Sequence, residues 1–308
     1  METVINLVQT ALELGLISSL TVLALFLSYS MLNVCDLSTD GCFTLGAAVG
    51  ATVAVAGHPY LSIIAAMAAG MLSGLIVALL QTKFGIDSLL SGIIVNTALY
   101  SVNIAVMGQS SQLNMNKTET VFTKVKELLS GTVLESRYKL IVALCAVVFV
   151  VVFLSLFLRT RIGLAVRATG NNPDMVRSSS INPVITTIVG LCIANAFTGL
   201  SGCLLAQSQK NVNIDIGSGM VTIALASLLI GRAFTGRGSI PVKAVGAVLG
   251  SFVFRVVYTV ALRFDMPAFM LKLVSSVIVI IAISGPYLKK QYPQLKRRFT
   301  YKKAKEVR

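Results

Sequence analysis

Residues 11–41 read ALELGLISSLTVLALFLSYSMLNVCDLSTDG, a long apolar run that ends in a short polar loop. Residues 193–220 read IANAFTGLSGCLLAQSQKNVNIDIGSGM and have the same layout. In each copy an acid, Asp36 or Asp215, follows a small residue by 21 positions, and an apolar helix rich in small residues comes next. We interpret the two stretches as a weak internal repeat in which a membrane-spanning helix leads into a short, broken one.

The composition of the whole chain supports a membrane location. Hydrophobic residues make up 55% of the 308 residues and charged residues only 12%, whereas soluble domains carry about 25% charged residues. A soluble protein could not bury so much apolar surface. The composition therefore excludes a soluble enzyme, a disordered chain and a nucleic-acid-binding domain, and it predicts an all-α polytopic membrane protein.

Nine candidate spans account for the apolar stretches, within a range of eight to ten, because each span needs about 20 apolar residues. They are Leu7–Leu32, Phe43–Ala56, Tyr60–Thr82, Leu89–Met107, Leu140–Leu158, Val184–Gln207, Met220–Ile230, Val242–Leu262 and Phe269–Ser284. The second and the seventh are short, and each follows a polar stretch. We expect one transmembrane domain over residues 1–287, with repeat one at about 8–158, a connecting loop at 159–183 and repeat two at about 184–287.

The net charge of +14 is concentrated at the C-terminus, where residues 289–308 hold nine Lys or Arg and one acid. Because Lys and Arg mark cytoplasmic segments, we place the basic tail, residues 288–308, inside the cell and near anionic lipid. Counting back puts loop 159–183 inside, and loop 108–139 and the N-terminus outside; a tenth span at the start would move the N-terminus inside. The two repeats then have opposite orientations, as in many transporters.

Residue patterns for catalysis are missing from the sequence. His58 is the single histidine, and the chain has no Cys/His cluster with metal-ligand spacing, no GxSxG and no GxxxxGK[ST] phosphate loop. The sequence therefore predicts no catalytic residue, no metal site and no cofactor in this chain. If ATP drives transport, another polypeptide must supply the ATPase.

The polar loop DLSTDG, residues 36–41, is the sharpest local feature between two spans. Ser38, Thr39 and Asp40 are residue types that cap a helix N-terminus, and the acids Asp36 and Asp40 are favoured there by the helix dipole. Two interpretations stay open: these residues hold a broken helix end in place, or they contact a solute or a proton directly.

Other polar groups fall inside predicted spans. Arg255 lies near the middle of its span, where a charge is costly; it forms an ion pair with Asp215 or Glu13, lines a transport path, or marks a wrong span boundary. Three amides also lie within spans, and for each an interhelical hydrogen bond is the default interpretation: Asn96, Asn103 and Asn195. We count Asn96, Asp215 and Arg255, together with Asp36, Ser38 and Asp40 of the loop, as candidate path residues.

The loop at 159–183 contains RTRIGLAVRATGNNP, residues 159–173. Leu164–Thr169 has the pattern of a short amphipathic helix, with Gly170 and Asn171 as C-cap signals and Pro173 as a stop. Membrane topology needs only scattered basic residues and no capped helix. We therefore predict a short helix that lies along the inner face of the membrane and receives force from a partner protein.

Several segments together resemble ABC importer permeases of the branched-chain amino-acid and ribose type, over about residues 10–285. They are RTRIGLAVRATGNN, DLSTDGCFTLGAAVGA, FTGLSGCLLAQ and ALASLLIGRAFTGRGSIPVKAVGAVLGS. Within that family, DLSTDGCFTLGAA and LLSGIIVNTALYSVNIAVMG are most similar to permeases of tryptophan/tyrosine uptake systems. The resemblance implies a permease that imports a small solute, an aromatic amino acid being the first candidate.

The resemblance also implies partners in a prokaryotic plasma membrane. These are an ABC ATPase that binds ATP and Mg, an extracellular lipoprotein that binds the solute, and a second copy of the permease. It further implies that one segment couples the permease to the ATPase, through Arg161, Gly163, Leu164, Arg167, Ala168, Gly170 and Asn171.

A stand-alone secondary transporter, driven by an ion gradient, is the main alternative because inverted repeats fit it equally well. Such a carrier needs titratable or cation-binding groups near the membrane midplane, and Asp36, Asp40 and Asp215 are the candidates. A membrane-embedded enzyme ranks third, since no nucleophile–base set is present.

Overall fold

The computed structural model describes residues 2–131, 135–236 and 238–262, together with positions 273, 276, 277, 279, 280 and 284. Its elements are α1 (Glu2–Leu25), continued by a π-helical turn (Phe26–Met31), α2 (Thr39–Val55), α3 (Pro59–Thr82), α4 (Ser88–Val106), β1 (Gln112–Asn114), α5 (Val121–Leu128), a 3-10 turn (Glu135–Arg137), α6 (Tyr138–Phe157), α7 (Arg161–Asn171), α8 (Pro173–Ser178), α9 (Pro183–Gln209), β2 (Asn211–Asn213), α10 (Met220–Thr235) and α11 (Ile240–Leu262). The described part is thus helical apart from two short strands.

Six helices in the described part of the chain are long and apolar enough to cross a bilayer. They are Gln9–Met31, Pro59–Thr82, Ser88–Val106, Tyr138–Phe157, Pro183–Gln209 and Ile240–Val260. Two shorter apolar helices, α2 and α10, accompany them. Each of the first eight predicted spans coincides with one of these helices, whereas the ninth, Phe269–Ser284, and the basic tail, 288–308, lie outside the described residues.

The boundaries of the two short helices differ from the sequence prediction. α2 begins at Thr39, four residues before the predicted Phe43. α10 continues past Ile230 and ends at Thr235. The next residue, Gly236, has a φ of 51°, which stops the helix. The apolar run stops at Ile230, but α10 has one more turn. That turn is partly exposed, so it can include the polar residues Arg232 and Thr235.

α9 forms the centre of the bundle and packs against α1, α2 and α3. Its glycines allow the closest approach, since a Cβ on Gly46 of α2 would overlap the backbone of Gly199, and a Cβ on Gly202 would overlap the carbonyl of Phe43. Small residues at helix crossings are the usual means of tight packing in lipid, where apolar burial gives no driving force between helices.

The outer faces of α3, α4 and α6 expose large apolar side chains, including Leu72, Phe149 and Leu156. Exposing so much apolar surface to water would be unfavourable, whereas the hydrocarbon chains of a bilayer solvate it. This exposure agrees with the apolar length of the six long helices. Many polar side chains are buried inside the bundle, among them Ser19, Thr44 and Asn195.

The two ends of the bundle carry different structures. At one end, here called the strand end, β1 and β2 pair in antiparallel fashion with Leu113 opposite Val212, and α5 packs nearby. Gln207 at the end of α9 fixes α5, because its Oε1 accepts the N–H of Val121 at 2.9 Å. The opposite end, here called the α7 end, holds α7 and α8 against the start of α9 and the π-helical turn.

Candidate functional site

The N-termini of α2 and α10 meet at a single carboxylate. Asp40, in the first turn of α2, accepts the N–H of Gly219 through Oδ2 at 2.9 Å and the N–H of Val221 through Oδ1 at 2.8 Å. The first N–H groups of a helix have no partner within the helix and carry a partial positive charge. Asp40 therefore caps α10 from another helix and places one negative charge at both N-termini.

Two amides of α4 hold the next residue of α2. Asn96 Oδ1 accepts the N–H of Gly41 at 2.7 Å, and Asn103 Nδ2 donates to the carbonyl of Gly41 at 3.2 Å. The two amides are seven residues apart and so share one face of α4. A Cβ on Gly41 would lie 2.7 Å from Asn96 Oδ1, so these two hydrogen bonds require glycine at position 41. The predicted interhelical bonds of both amides are confirmed.

Asp36 has a different role from Asp40. Its Oδ1 accepts the N–H of Ser38 at 2.8 Å and closes the turn before α2, and its Oδ2 accepts a hydrogen bond from Asn195 Nδ2 of α9 at 2.8 Å. Asp36 is only 2% exposed. The loop is thus fastened to the central helix by a buried, charge-assisted bond, and the interhelical bond predicted for Asn195 is confirmed.

Ser38 occupies the N-cap position of α2, as expected for its residue type, but its side chain makes no capping bond. Its Oγ is buried without a partner. Asn96 satisfies an N–H of the first turn in its place. The expectation that the Ser38 side chain caps α2 is therefore wrong. The N–H of Gly41 in the first turn is already bonded to Asn96 of α4.

A cavity of about 330 Å³ opens beside this junction. Its walls come from α2, α4 and the segment between β2 and α10: Asp40, Gly41, Thr44, Asn96, Thr97, Tyr100, Asn103, Ile214, Asp215 and Ser218. The fold therefore brings Asp40, Asn96 and Asp215 together around one space. Asp36, Ser38 and Arg255 do not line it. Thr97, Tyr100 and Asn103 complete the wall on α4, and the sequence signal for them is the polar spacing along an otherwise apolar helix.

Arg255 lies elsewhere, between α11 and α1. Its Nη2 and Nε donate to Ser18 Oγ at 2.7 and 3.2 Å, and its guanidinium carbon lies 5.7 Å from the centre of the Tyr258 ring. The predicted ion pair with Asp215 or Glu13 is wrong, since Arg255 forms no ion pair with any described residue. Asp215 is held in the cavity wall instead.

At the α7 end, the helix predicted at Leu164–Thr169 extends over Arg161–Asn171. Thr160 caps its start, with Oγ1 accepting the N–H of Gly163 at 3.2 Å, and Asn172 occupies the C-cap. Gly170 and Asn171 are therefore helical, and reading them as the C-cap was wrong. Gly170 is required for space, because a Cβ there would overlap the carbonyl of Met31.

The two faces of α7 have different environments. Val166 and Thr169 are buried, and the Thr169 and Thr186 hydroxyls lie 2.7 Å apart. The residues of the predicted coupling set differ in exposure: Gly163 is buried, Arg161, Leu164 and Asn171 are exposed, and Arg167, Ala168 and Gly170 are partly covered. Ile162 and Leu164 are about half exposed, at 52% and 51%. The outer face of α7 is thus both basic and apolar.

Comparisons with known proteins show which family this chain belongs to. The family model for the permease component of branched-chain amino acid transport systems matches residues 7–283. A tyrosine transport system permease protein of Clostridioides difficile is 30% identical over 267 residues, 86% of each chain. The guanosine ABC transporter permease protein NupQ of Bacillus subtilis is 29% identical over 203 residues, which are 63% of this chain and 61% of the relative.

A solved structure has a similar fold. PsaBC from Streptococcus pneumoniae, in complex with Fab, superposes with a TM-score of 0.54 at 14% identity, over 93% of this chain and 94% of that chain. The apolar helices and the family match over residues 7–283 show that the chain is an integral membrane protein. It belongs to the ABC-type permease family of branched-chain amino acid transport components.

Proposed function

We propose that this permease imports a small solute through the cavity at the junction of α2 and α10. The observation that carries the proposal is the position of Asp40, whose carboxylate joins the N-termini of two short helices beside a polar space. Short, broken helices that meet near the middle of the membrane are typical of transport pathways. A change in the angle between α2 and α10 would open and close the cavity.

The directions of the two short helices support an inverted arrangement. α2 leaves the junction for the strand end, where Thr52 Oγ1 donates to the carbonyl of Val106 at the end of α4. In this proposal α10 leaves the junction for the opposite end and is followed by α11, whose Ser251 Oγ donates to the carbonyl of Gly15 in α1 at 2.9 Å. We propose nine spans in two inverted repeats, with the strand end outside and the α7 end in the cytoplasm.

α7 is the proposed contact for the ATPase. Its buried face fastens it to α9, and its outward face offers the basic Arg161 and Arg167 beside the half-exposed Ile162 and Leu164. An apolar patch with a basic rim suits a protein partner that contributes acids and a groove. In this proposal ATP and Mg bind to the ATPase, and α7 transmits the movement to α9 and the π-helical turn.

A second copy of the permease would complete the path. The cavity wall on α4 includes Thr97 and Tyr100, which are exposed, with Tyr100 at 53%. Polar groups that face hydrocarbon are unfavourable. We propose that a homodimer covers this side of α4, so that the two cavities line a shared passage.

The cargo is proposed from the relatives. The tyrosine permease matches more of this chain than the guanosine permease does, so an amino acid, aromatic in the first instance, is the proposed solute. An extracellular lipoprotein would deliver it to the strand end, where the β1–β2 pair and α5 form a surface tied to α9 by Gln207.

Charge reversal on α7 tests the proposal. Arg167→Glu should leave membrane insertion intact but abolish association with the partner ATPase and ATP-dependent uptake, because an acid replaces the basic rim. Lys117→Glu is the matched control for ATPase association, since Lys117 is exposed near the strand end and away from α7. Both measurements use the tagged chain purified from membranes and then reconstituted. Equal ATPase recovery with the two variants would remove α7 from the coupling role.

A further inference from the structure

Helix N-termini usually attract anions, and broken-helix transporters direct them at anionic groups of the solute. In this chain the anion positions are already filled. The N–H groups of Gly219 and Val221 are bonded to Asp40, and the N–H of Gly41 is bonded to Asn96. A carboxylate of a solute would have to displace these internal acceptors.

The cavity instead offers hydrogen-bond acceptors. Asn103 is 1% exposed, and its Nδ2 is used on Gly41, while its Oδ1 has no partner. A buried acceptor without a donor is unfavourable, so a donor from outside the chain would satisfy it. Asp215, in the part of the wall formed by the segment between β2 and α10, is exposed.

The charges of the wall point in the same direction. Two lining residues, Asp40 and Asp215, carry carboxylates, and the lining contains no Lys, Arg or His. Tyr100 adds an aromatic ring. Carboxylates, an amide oxygen and the face of an aromatic ring are the groups that bind an organic ammonium.

We propose that the cavity is a binding subsite for the ammonium group of a small cationic or zwitterionic solute, and that it rejects a solute whose only charge is a carboxylate. The proposal rests on the proposed function, in that it places the cavity on the transport path. It adds the chemistry that the path selects: an amine is held by Asn103 and Asp215, while Asp40 keeps the helix N-termini closed to anions.

Three probes that share a phenol ring and differ only in charge separate the alternatives. They are tyramine, L-tyrosine and 3-(4-hydroxyphenyl)propionate, and their binding to the permease–ATPase complex in nanodiscs is measured by saturation-transfer NMR. Tyramine and tyrosine should bind, and the propionate should bind roughly tenfold to a hundredfold more weakly than tyramine, the effect of one lost charge-assisted hydrogen bond. Equal binding of the propionate and tyramine would overturn the proposal.

Asp215→Asn is the informative variant, because Asp215 is exposed and the substitution removes the charge while it keeps the size of the side chain. It should weaken tyramine binding about tenfold and leave the weak binding of the propionate unchanged or stronger. Glu127→Gln is the matched control, since Glu127 is an exposed acid of α5 that lies outside the cavity. If both variants bind tyramine like the original chain, Asp215 holds no ammonium and the proposal fails.

The same preparation separates this proposal from the proposed function. A complex that hydrolyses ATP and transports solute but shows no preference for an amine refutes the ammonium subsite alone. A chain that purifies without an ATPase refutes the proposed function, and the three probes are then applied to that chain in nanodiscs. A preference for tyramine that depends on Asp215 would still support the subsite.

Discussion

Replacing Asp40 should uncouple α10 from α2 and destabilise the junction. The carboxylate accepts two backbone N–H groups, at 2.8 and 2.9 Å, from the first turn of α10. Hydrogen bonds to a charged group contribute about 1.5–3 kcal/mol each. Asp40→Ala removes both, so we expect a loss of about 3–6 kcal/mol in the free energy of unfolding.

Asp40→Asn tests the charge separately from the shape. The amide keeps one acceptor oxygen, so it retains one of the two bonds and loses the attraction between the carboxylate and the helix dipole, which contributes about 0.3–2 kcal/mol. We expect a loss of about 2–3 kcal/mol, between the original chain and Asp40→Ala.

The measurement is equilibrium unfolding of the purified permease in dodecyl maltoside micelles with increasing SDS, followed by circular dichroism. Asp215→Asn serves as the control, because Asp215 lines the same cavity but is exposed; as a substitution of an exposed residue, its effect should stay within about 0.5 kcal/mol. If Asp40→Ala and Asp40→Asn unfold with the same midpoint as Asp215→Asn, the carboxylate does not hold the two helices together.

Three further substitutions test other contacts. Gly170→Val forces a side chain into the backbone of the π-helical turn, so we expect about 1–3 kcal/mol of overpacking and weaker ATPase recovery; unchanged thermal stability would show that α7 is not seated there. Gln207→Leu leaves the N–H of Val121 without its acceptor, and hydrogen exchange at this amide should become faster; unchanged protection would remove Gln207 as the anchor of α5. Asn195→Leu deprives the buried Asp36 of a 2.8 Å bond and should cost about 1.5–3 kcal/mol, measured by unfolding in SDS; a neutral result would contradict the fastening of that loop.

Much of the fold could be predicted from hydrophobic length alone. A bilayer requires about 20 apolar residues for each spanning helix, and this requirement leaves a strong signal in a chain with 12% charged residues. The ends of α2 and α10 were less predictable, because short helices inside a bundle are terminated by contacts with other helices. The N–H of Gly41, in the first turn of α2, bonds to Asn96 of α4, which lies 55 residues away along the chain.

The site was predictable by residue type but not by partner. Asp40, Asn96 and Asp215 were candidates as polar groups in apolar surroundings, and the fold gathers them around one cavity. The sequence could not separate Asp36 from Asp40, since both lie at the start of the same helix. Only the packing of α9 gives Asp36 its partner Asn195 and leaves Asp40 facing α10. Arg255 was misassigned for the same reason, because its partner Ser18 lies 237 residues away.

The central claim is that this permease works with a separate ATPase. The most direct measurement is purification of the tagged chain from its native membrane in mild detergent, with mass spectrometry of the proteins that accompany it. The account predicts a stoichiometric ATPase that contains a phosphate-binding loop, together with an extracellular binding lipoprotein. A chain that purifies alone and moves solute into liposomes without ATP would contradict the account.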